Sequence, residues 1–306
     1  MTRVASYSHN QSLLQGLLRN QSELYKVQQQ INTGKKAQDY RGLASESSTV
    51  VAARAAFART QAYQSTAKEV GQTLAVVDLQ IGSMLDSAQS VKDAILGALA
   101  LGDGQGFMNK IEASFGMIAA SLNTKVGNTY LFAGAQTDAK PFVAGSLDDL
   151  VAMASAADAF ANDQTRTSAR ISDTLNMQYG VLADEVAGPI MEILRAIKEF
   201  DNTFGPIDGP LTPDQVTFLE NQISALDDAT KTMRGVQVSN GLRQAQVKDV
   251  ATKLEKQELY FESFISDIED VDMAEAITRF TNDQAALEAS YQVISMISQL
   301  NLSKFL

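Results

Sequence analysis

Cysteine and tryptophan are absent from the 306 residues, histidine occurs once and proline only 5 times. Without cysteine there is no disulfide framework, no thiolate nucleophile and no thiolate metal site. A protein without thiols is indifferent to redox state, so this absence leaves the compartment open. A catalytic triad, a His-metal site or a proton shuttle would have to use His9, in the N-terminal stretch, where a surface or packing role is expected. No run of 18 apolar residues occurs, which leaves no ordinary membrane-spanning helix. Met1–Asn20 also lacks the uninterrupted apolar core of a cleaved signal peptide. Positive charge is scarce: 25 Lys and Arg against 36 Asp and Glu give a net charge of −11. Such a chain has no broad basic face for nucleic acid or anionic lipid, so neither a nucleic-acid partner nor membrane insertion is expected. Few prolines and 7% aromatics favour long helices over a compact enzyme core.

What the chain does have is apolar periodicity at both ends. In Asp267–Leu306 the apolar residues recur at Met273, Ile277, Phe280, Leu287, Tyr291, Ile294, Ile297 and Leu300. Seven-residue steps with partners three or four away describe one stripe on a long helix, read as continuous from Asp267. The N-terminus answers with Val4, Tyr7, Leu14, Leu17, Leu18, Leu24, Tyr25 and Ile31. Gln11, Gln21 and Gln28 fall on that stripe, where polar residues would fix register at a cost in stability. A lone amphipathic helix has nothing to bury its stripe against. The two ends are therefore expected to pair as a coiled coil. In the assembled state Leu287, Tyr291 and Ile294 should be buried against Leu14, Leu17, Leu18 and neighbouring copies.

Between the ends the chain reads as nested helices. Asn32–Lys36 breaks the first stripe, and an Ala-rich helix then runs from Leu43 to Leu101. Gly102–Gly106 stops it, and a helix follows from Phe107 to about Val126. Ser146–Phe160 reads as a short helix, and Thr165–Ile171 with Leu175–Leu182 as a hairpin. Pro189–Phe200 reads as helical. Thr212, Pro213 and Gln215 make an N-cap, a first-position proline and a capping-box partner, opening a second long helix that runs to about Asp267. The fold expected is mainly α. Long antiparallel helical rods carry the paired terminal helices at one end and a small α/β insertion at the far tip. The expected divisions are 1–40 with 268–306, 41–140 with 187–267, and an outer insertion 141–186.

Chemical motifs fail on inspection. Asp267, Glu269, Asp270 and Asp272 could suggest a calcium loop, but its required Gly and Glu positions hold Asp272 and Thr278. Acidic residues opening a helix at its positive end are the better account. Gly102–Gly106 has neither the preceding strand nor the following Lys-Ser/Thr of a phosphate loop. Neither catalytic residues nor a cofactor is expected.

Three segments carry a family resemblance. They are Gln30-Ile31-Asn32-Thr33-Gly34-Lys35, then Tyr130-Leu131-Phe132-Ala133-Gly134 with Pro141-Phe142, and the block Ser266–Ala276 leading into Gln284–Tyr291. Across roughly 1–140 and 210–306 the sequence resembles the flagellin family; the acidic block is similar to flagellins generally, and Tyr130–Gly134 with Pro141-Phe142 and the run Leu287–Tyr291 resemble its hook–filament junction proteins. Where junction proteins usually carry an Asp-Asp-Pro cluster, this chain has Asp39-Tyr40-Arg41-Gly42-Leu43-Ala44, a run closer to flagellin itself. The resemblance implies an extracellular structural protein of the bacterial flagellum, exported without a cleaved signal. It also implies self-assembly into a junction ring, with another hook-associated junction protein and flagellin as neighbours. An export chaperone would hold the C-terminal helix. A filament-forming flagellin and a secreted coiled-coil adaptor are the alternatives. The assembly residues expected are Leu14, Leu17, Leu18, Leu24 and Ile31 with Met273, Ile277, Phe280, Leu287, Tyr291, Ile294 and Leu300.

Overall fold

A computed structural model describes residues 2–302, with side chains from 11 to 296. Val4, Tyr7, His9, Ile297 and Leu300 therefore lie outside the described side chains. The chain groups into two compact units, Met1–Arg59 with Gln257–Leu306 and Thr60–Lys256. This differs from the three expected divisions, chiefly because residues 141–186 share a core with the helices around them.

In the unit Thr60–Lys256 two long helices run antiparallel. They belong to α2 (Ser47–Leu101) and α6 (Pro213–Glu269), which supply residues to both units. Their direction is visible where Leu74 meets Asn240 and Lys92 pairs with Asp227. Gly102 ends α2 and Gly106 precedes the next helix, with φ of 66° and 73°, the left-handed values that glycine adopts without strain. The helix α3 (Phe107–Leu122) follows, burying Phe107, Ile111, Phe115, Ile118 and Leu122 at spacings of three and four. It ends four residues before the expected Val126, because Lys125–Val126 (β1) pairs antiparallel with Thr129–Tyr130 (β2). Asn123 then holds Phe142 by both backbone groups, at 3.0 and 3.1 Å. Phe142 meets Phe115 and Phe160 edge to face.

The segment expected to be an outer insertion is folded back onto the helices. Its short helix α4 (Leu147–Ala152) buries Leu147 and Leu150, and a 3-10 turn buries Ala156 and Ala159. The hairpin of β3 (Ser168–Arg170) and β4 (Asn176–Gln178) sends Ile171 and Met177 into a cluster with Ala67, Val70, Leu74, Val247 and Leu254. Those helical residues lie well away in sequence from the α2–α3 turn, so the hairpin does not sit at the far tip. A two-stranded hairpin is marginal alone, and its apolar face is covered here by α2 and α6.

The helix α5 (Ala183–Phe204) starts six residues before Pro189, earlier than expected. Burial of Ala183, Val186, Ala187 and Ile190 outweighs the hydrogen bond that the proline cannot make. The start of α6 is as expected. Gln215 N donates to Thr212 Oγ1, and Thr212 N donates to Gln215 Oε1 at 2.9 Å.

Asn240 is fully buried, with its Nδ2 donating to the Leu74 carbonyl at 2.9 Å. Gln244 Nε2 donates to the same oxygen at 3.0 Å.

The other unit pairs α1 (Thr2–Thr33) with α7 (Met273–Leu302). The stretch from Asp267 is not one helix. The α6 helix continues through Glu269, Val271 N leaves the helical pattern to reach the Gly34 carbonyl at 2.9 Å, and α7 begins at Met273. Asp272 caps α7 by accepting from Ala274 N and Glu275 N. The acidic run therefore has divided roles: Asp272 opens a helix as expected, whereas Asp267 and Glu269 close the preceding one.

Candidate functional site: the paired terminal helices

The antiparallel register of α1 and α7 is fixed by Asn20 Nδ2 donating to Ser290 Oγ at 3.3 Å and Gln21 Nε2 donating to the Tyr291 hydroxyl at 2.7 Å. In that register the steps Leu17, Leu24 and Ile31 run against Ile294, Leu287 and Phe280. Ile31 and Phe280 pack against a small core of Val27, Val271 and Ala276. The seam is narrow: Leu17 and Val27 are buried, while Leu24, Ile31, Phe280, Leu287 and Ile294 are half-buried.

Six of the expected assembly residues are thus spent inside the chain, and five face outward, with Leu300 outside the described side chains. Leu14 is 56% exposed, Leu18 60% and Tyr291 49%. Tyr25, Met273 and Ile277 are exposed as well. Leu14, Leu18 and Tyr25, four and seven apart, share one face of α1. On α7, Val293 and Met296 are exposed on a different side from Tyr291, so the distal part of this helix has apolar residues on more than one face.

Within the single chain Leu287 and Ile294 are not set against Leu14 and Leu18, and the burial expected of them concerns the assembled state. The seven-residue ladder instead matches Leu287 with Leu24, and the tyrosine hydroxyl reaches Gln21. Gln11, Gln21 and Gln28 are exposed beside the seam. Asn20 and Ser290 form the half-buried polar pair at the seam and share the register role with Gln21, the one of the three glutamines that bonds across to α7 here. The spacing Leu17–Asn20–Leu24–Val27–Ile31 could have revealed this, since it alternates three and four without interruption.

Below the seam lies a polar node that the sequence reading left without a role. The Arg54 guanidinium grips Glu269 with two bonds, Nε to Oε1 at 2.9 Å and Nη2 to Oε2 at 2.7 Å. Lys35 Nζ reaches Asp270 Oδ1 and, at 3.4 Å, Glu269 Oε2. The Ser266 hydroxyl donates to the other oxygen of Asp270. Beneath these side chains the backbones pair: Lys36 N donates to the Glu269 carbonyl at 2.7 Å, and Val271 N to that of Gly34. The Arg54 hydrogen bonds hold the Glu269 carboxyl below the usual range, and the Lys35 hydrogen bond does the same for Asp270. Lys35 is raised in turn, chiefly by its bond to Asp270. A cleft of about 620 Å³ beside the node is lined by Lys35, Asp39, Tyr40, Leu43, Arg54 and Glu269 among others. Among the described residues no His, Asp and Glu cluster could hold a metal ion, and no helix is long and apolar enough to cross a membrane.

The two helical ends also carry the family signature. The bacterial flagellin N-terminal helical region matches residues 4–137, and the bacterial flagellin C-terminal helical region matches residues 223–306. The chain belongs to the flagellin family. It is accordingly a structural component of the bacterial flagellum and not an enzyme.

A flagellar hook-associated protein from Vibrio parahaemolyticus is similar in fold, with a TM-score of 0.61 at 16% identity over 76% of this chain and 99% of that one. FlgL from Bacillus cereus gives 0.55 at 14% identity, over 71% of this chain and 99% of its own. A search of curated proteins finds none that matches.

Proposed function

We propose that this flagellin-family chain is a junction subunit between hook and filament. It would assemble into a ring by packing the outward faces of α1 and α7 against those of neighbouring copies. The observation that carries this reading is the split of the terminal stripes: one set of apolar residues closes the seam, and Leu14, Leu18, Tyr25, Met273, Ile277 and Tyr291 remain uncovered. The exposed Val293 and Met296 suit enclosure of α7 by more than one neighbour. The solved proteins of similar fold are described as a hook-associated protein and as FlgL, which favours the junction over the filament. Another hook-associated junction protein and flagellin would be the axial neighbours, and an export chaperone would cover α7 during secretion without a cleaved signal. Residues 1–40 with 268–306 would form the inner, assembling layer.

A filament subunit is the second reading, favoured by the flagellin-like run Gly42-Leu43-Ala44 in the connector. Electron microscopy of flagella from cells lacking this protein decides between them. Intact hooks without attached filaments, with flagellin released to the medium, are expected for a junction subunit. Normal filaments in the deletion strain would overturn it. Purified chain should form short arcs at most, whereas long filaments would establish the second reading.

A further inference from the structure

We infer that Lys35, Arg54, Glu269 and Asp270 form an electrostatic latch that holds the end of α1 on the α6–α7 break and so sets the seam register before any neighbour binds. Three observations carry it. The contact joins residues over 200 positions apart through two backbone hydrogen bonds, from Lys36 N and Val271 N. Those two bonds lie at the foot of the seam, where Val27, Val271 and Ala276 form only a small core. The carboxylate at the centre, Glu269, is 6% exposed, and its two cationic partners come from different segments of chain.

The logic follows from burial. A carboxylate taken out of water is held only while its partners are present, and it has bidentate Arg54 on one side and Lys35 on the other. Losing the charge on Glu269 removes the reason for Arg54 and Lys35 to converge there. The backbone bonds at Lys36 and Val271 then depend on the seam alone. Other charged groups around the node are Lys36, whose Nζ donates to the Asp267 carbonyl, and Glu262, which lines the opposite cleft with Arg54. Asp272 is committed to capping α7.

The pH window has a definite sign. Glu269 and Asp270 are depressed, so their contribution is complete above the ordinary carboxylate pKa of about 4 and disappears as pH falls through their lower folded values. Lys35 is raised, so its contribution holds below the ordinary lysine pKa of about 10 and is lost above its folded value. The latch is closed at neutral pH and opens in acid. Arg54 and Lys35 remain partly exposed, which also makes it sensitive to salt.

Hydrogen exchange on the full-length monomer, corrected for the pH dependence of intrinsic rates, tests this at individual amides. Glu269→Gln should speed exchange of the Lys36 and Val271 amides at least tenfold at neutral pH. The Ala183 amide, bonded to Phe132 O, should stay as in wild type. Wild-type protection at the first two amides should fall as pH is lowered toward 3, while the variant, left with the Lys35–Asp270 pair alone, should change less. Protection in Glu269→Gln within twofold of wild type would overturn the latch. If the variant loses Ala183 protection as well, wild-type protein decides: exchange at Lys36 and Val271 should rise between about 0.05 and 1 M salt. Salt-independent exchange there would overturn it too.

Discussion

The two units use the same amphipathic helices to opposite ends. In Thr60–Lys256 the stripes of α2, α3, α5 and α6 converge with the 141–186 segment on one large core, where Ile81, Ile95, Ile111, Phe132, Phe142, Leu150 and Ile190 are all fully buried. In the terminal unit the α1 and α7 stripes meet only along a seam, and the core there is Val27, Val271 and Ala276 with Ile31 and Phe280 beside it. Two helices can bury one face each, whereas a layered arrangement can surround a side chain. The first unit closes a large core, although Leu79, Leu101, Phe204, Val238 and Leu242 stay exposed on it. The second closes only a small core and leaves Leu14, Leu18, Tyr25, Met273, Ile277 and Tyr291 exposed.

The largest effect should come from cutting into the complete core. Phe142→Ala removes a ring that touches Phe115 and Phe160 and should cost about 3–5 kcal/mol, seen as a marked drop in the monomer's thermal midpoint. Deleting 143–186 should abolish folding of that unit altogether, since Leu147, Leu150, Ile171, Met177 and Val181 are buried. A deleted chain that still melts cooperatively near the wild-type temperature would erase the contrast between the two regions.

Seam substitutions should fall in the middle. Leu287 is half-buried, so Leu287→Ala should cost about 1–2 kcal/mol, below the range for a closed core. The loss should register as faster exchange along α1 and α7, with protection in Thr60–Lys256 unchanged. A global loss of stability would mean that the seam supports the whole chain.

The smallest effect on the monomer should come from the outward face. Leu18→Ala, at a side chain 60% exposed, should shift monomer stability by less than about 0.5 kcal/mol. Attachment of filaments in a motility assay should nevertheless collapse, because every copy in a ring repeats the defect. Unimpaired motility with Leu14→Ala and Leu18→Ala combined would show that this face has no partner.

Much of the helical plan was legible because it rests on local rules. Gly102–Gly106 as a stop, Thr212–Gln215 as a start and the terminal pairing all follow from turn chemistry, caps and period. What escaped depends on partners distant in sequence. The three-four spacing of α1 can place Asn20 on the inward face, but its partner Ser290 and the register that joins them are invisible to a one-helix pattern. The break at Asp270–Asp272 was masked by good helix formers on either side, and is imposed by Gly34 and Lys36 claiming backbone groups at Glu269 and Val271. Tyr130–Gly134 stood out by its family resemblance, but the reason for its glycine did not show. Gly134 has φ of 74°, and a Cβ there would meet the Asp163 carboxylate that accepts from Ala135 N and Thr165 N.

The buried amide of Asn240 gives the long helices a mechanical property that their apolar contacts cannot. A stripe that repeats every seven residues looks alike after a slide of one heptad, about 10 Å along the axis. Under an axial load, α2 and α6 could shear to such a position and recover much of their contact. The Leu74 carbonyl does not repeat in that way: sliding would strand the Asn240 amide among aliphatic side chains, at a cost of about 1–3 kcal/mol. Asn240, with Gln244 on the same carbonyl, thus acts as a detent against sliding of the two helices.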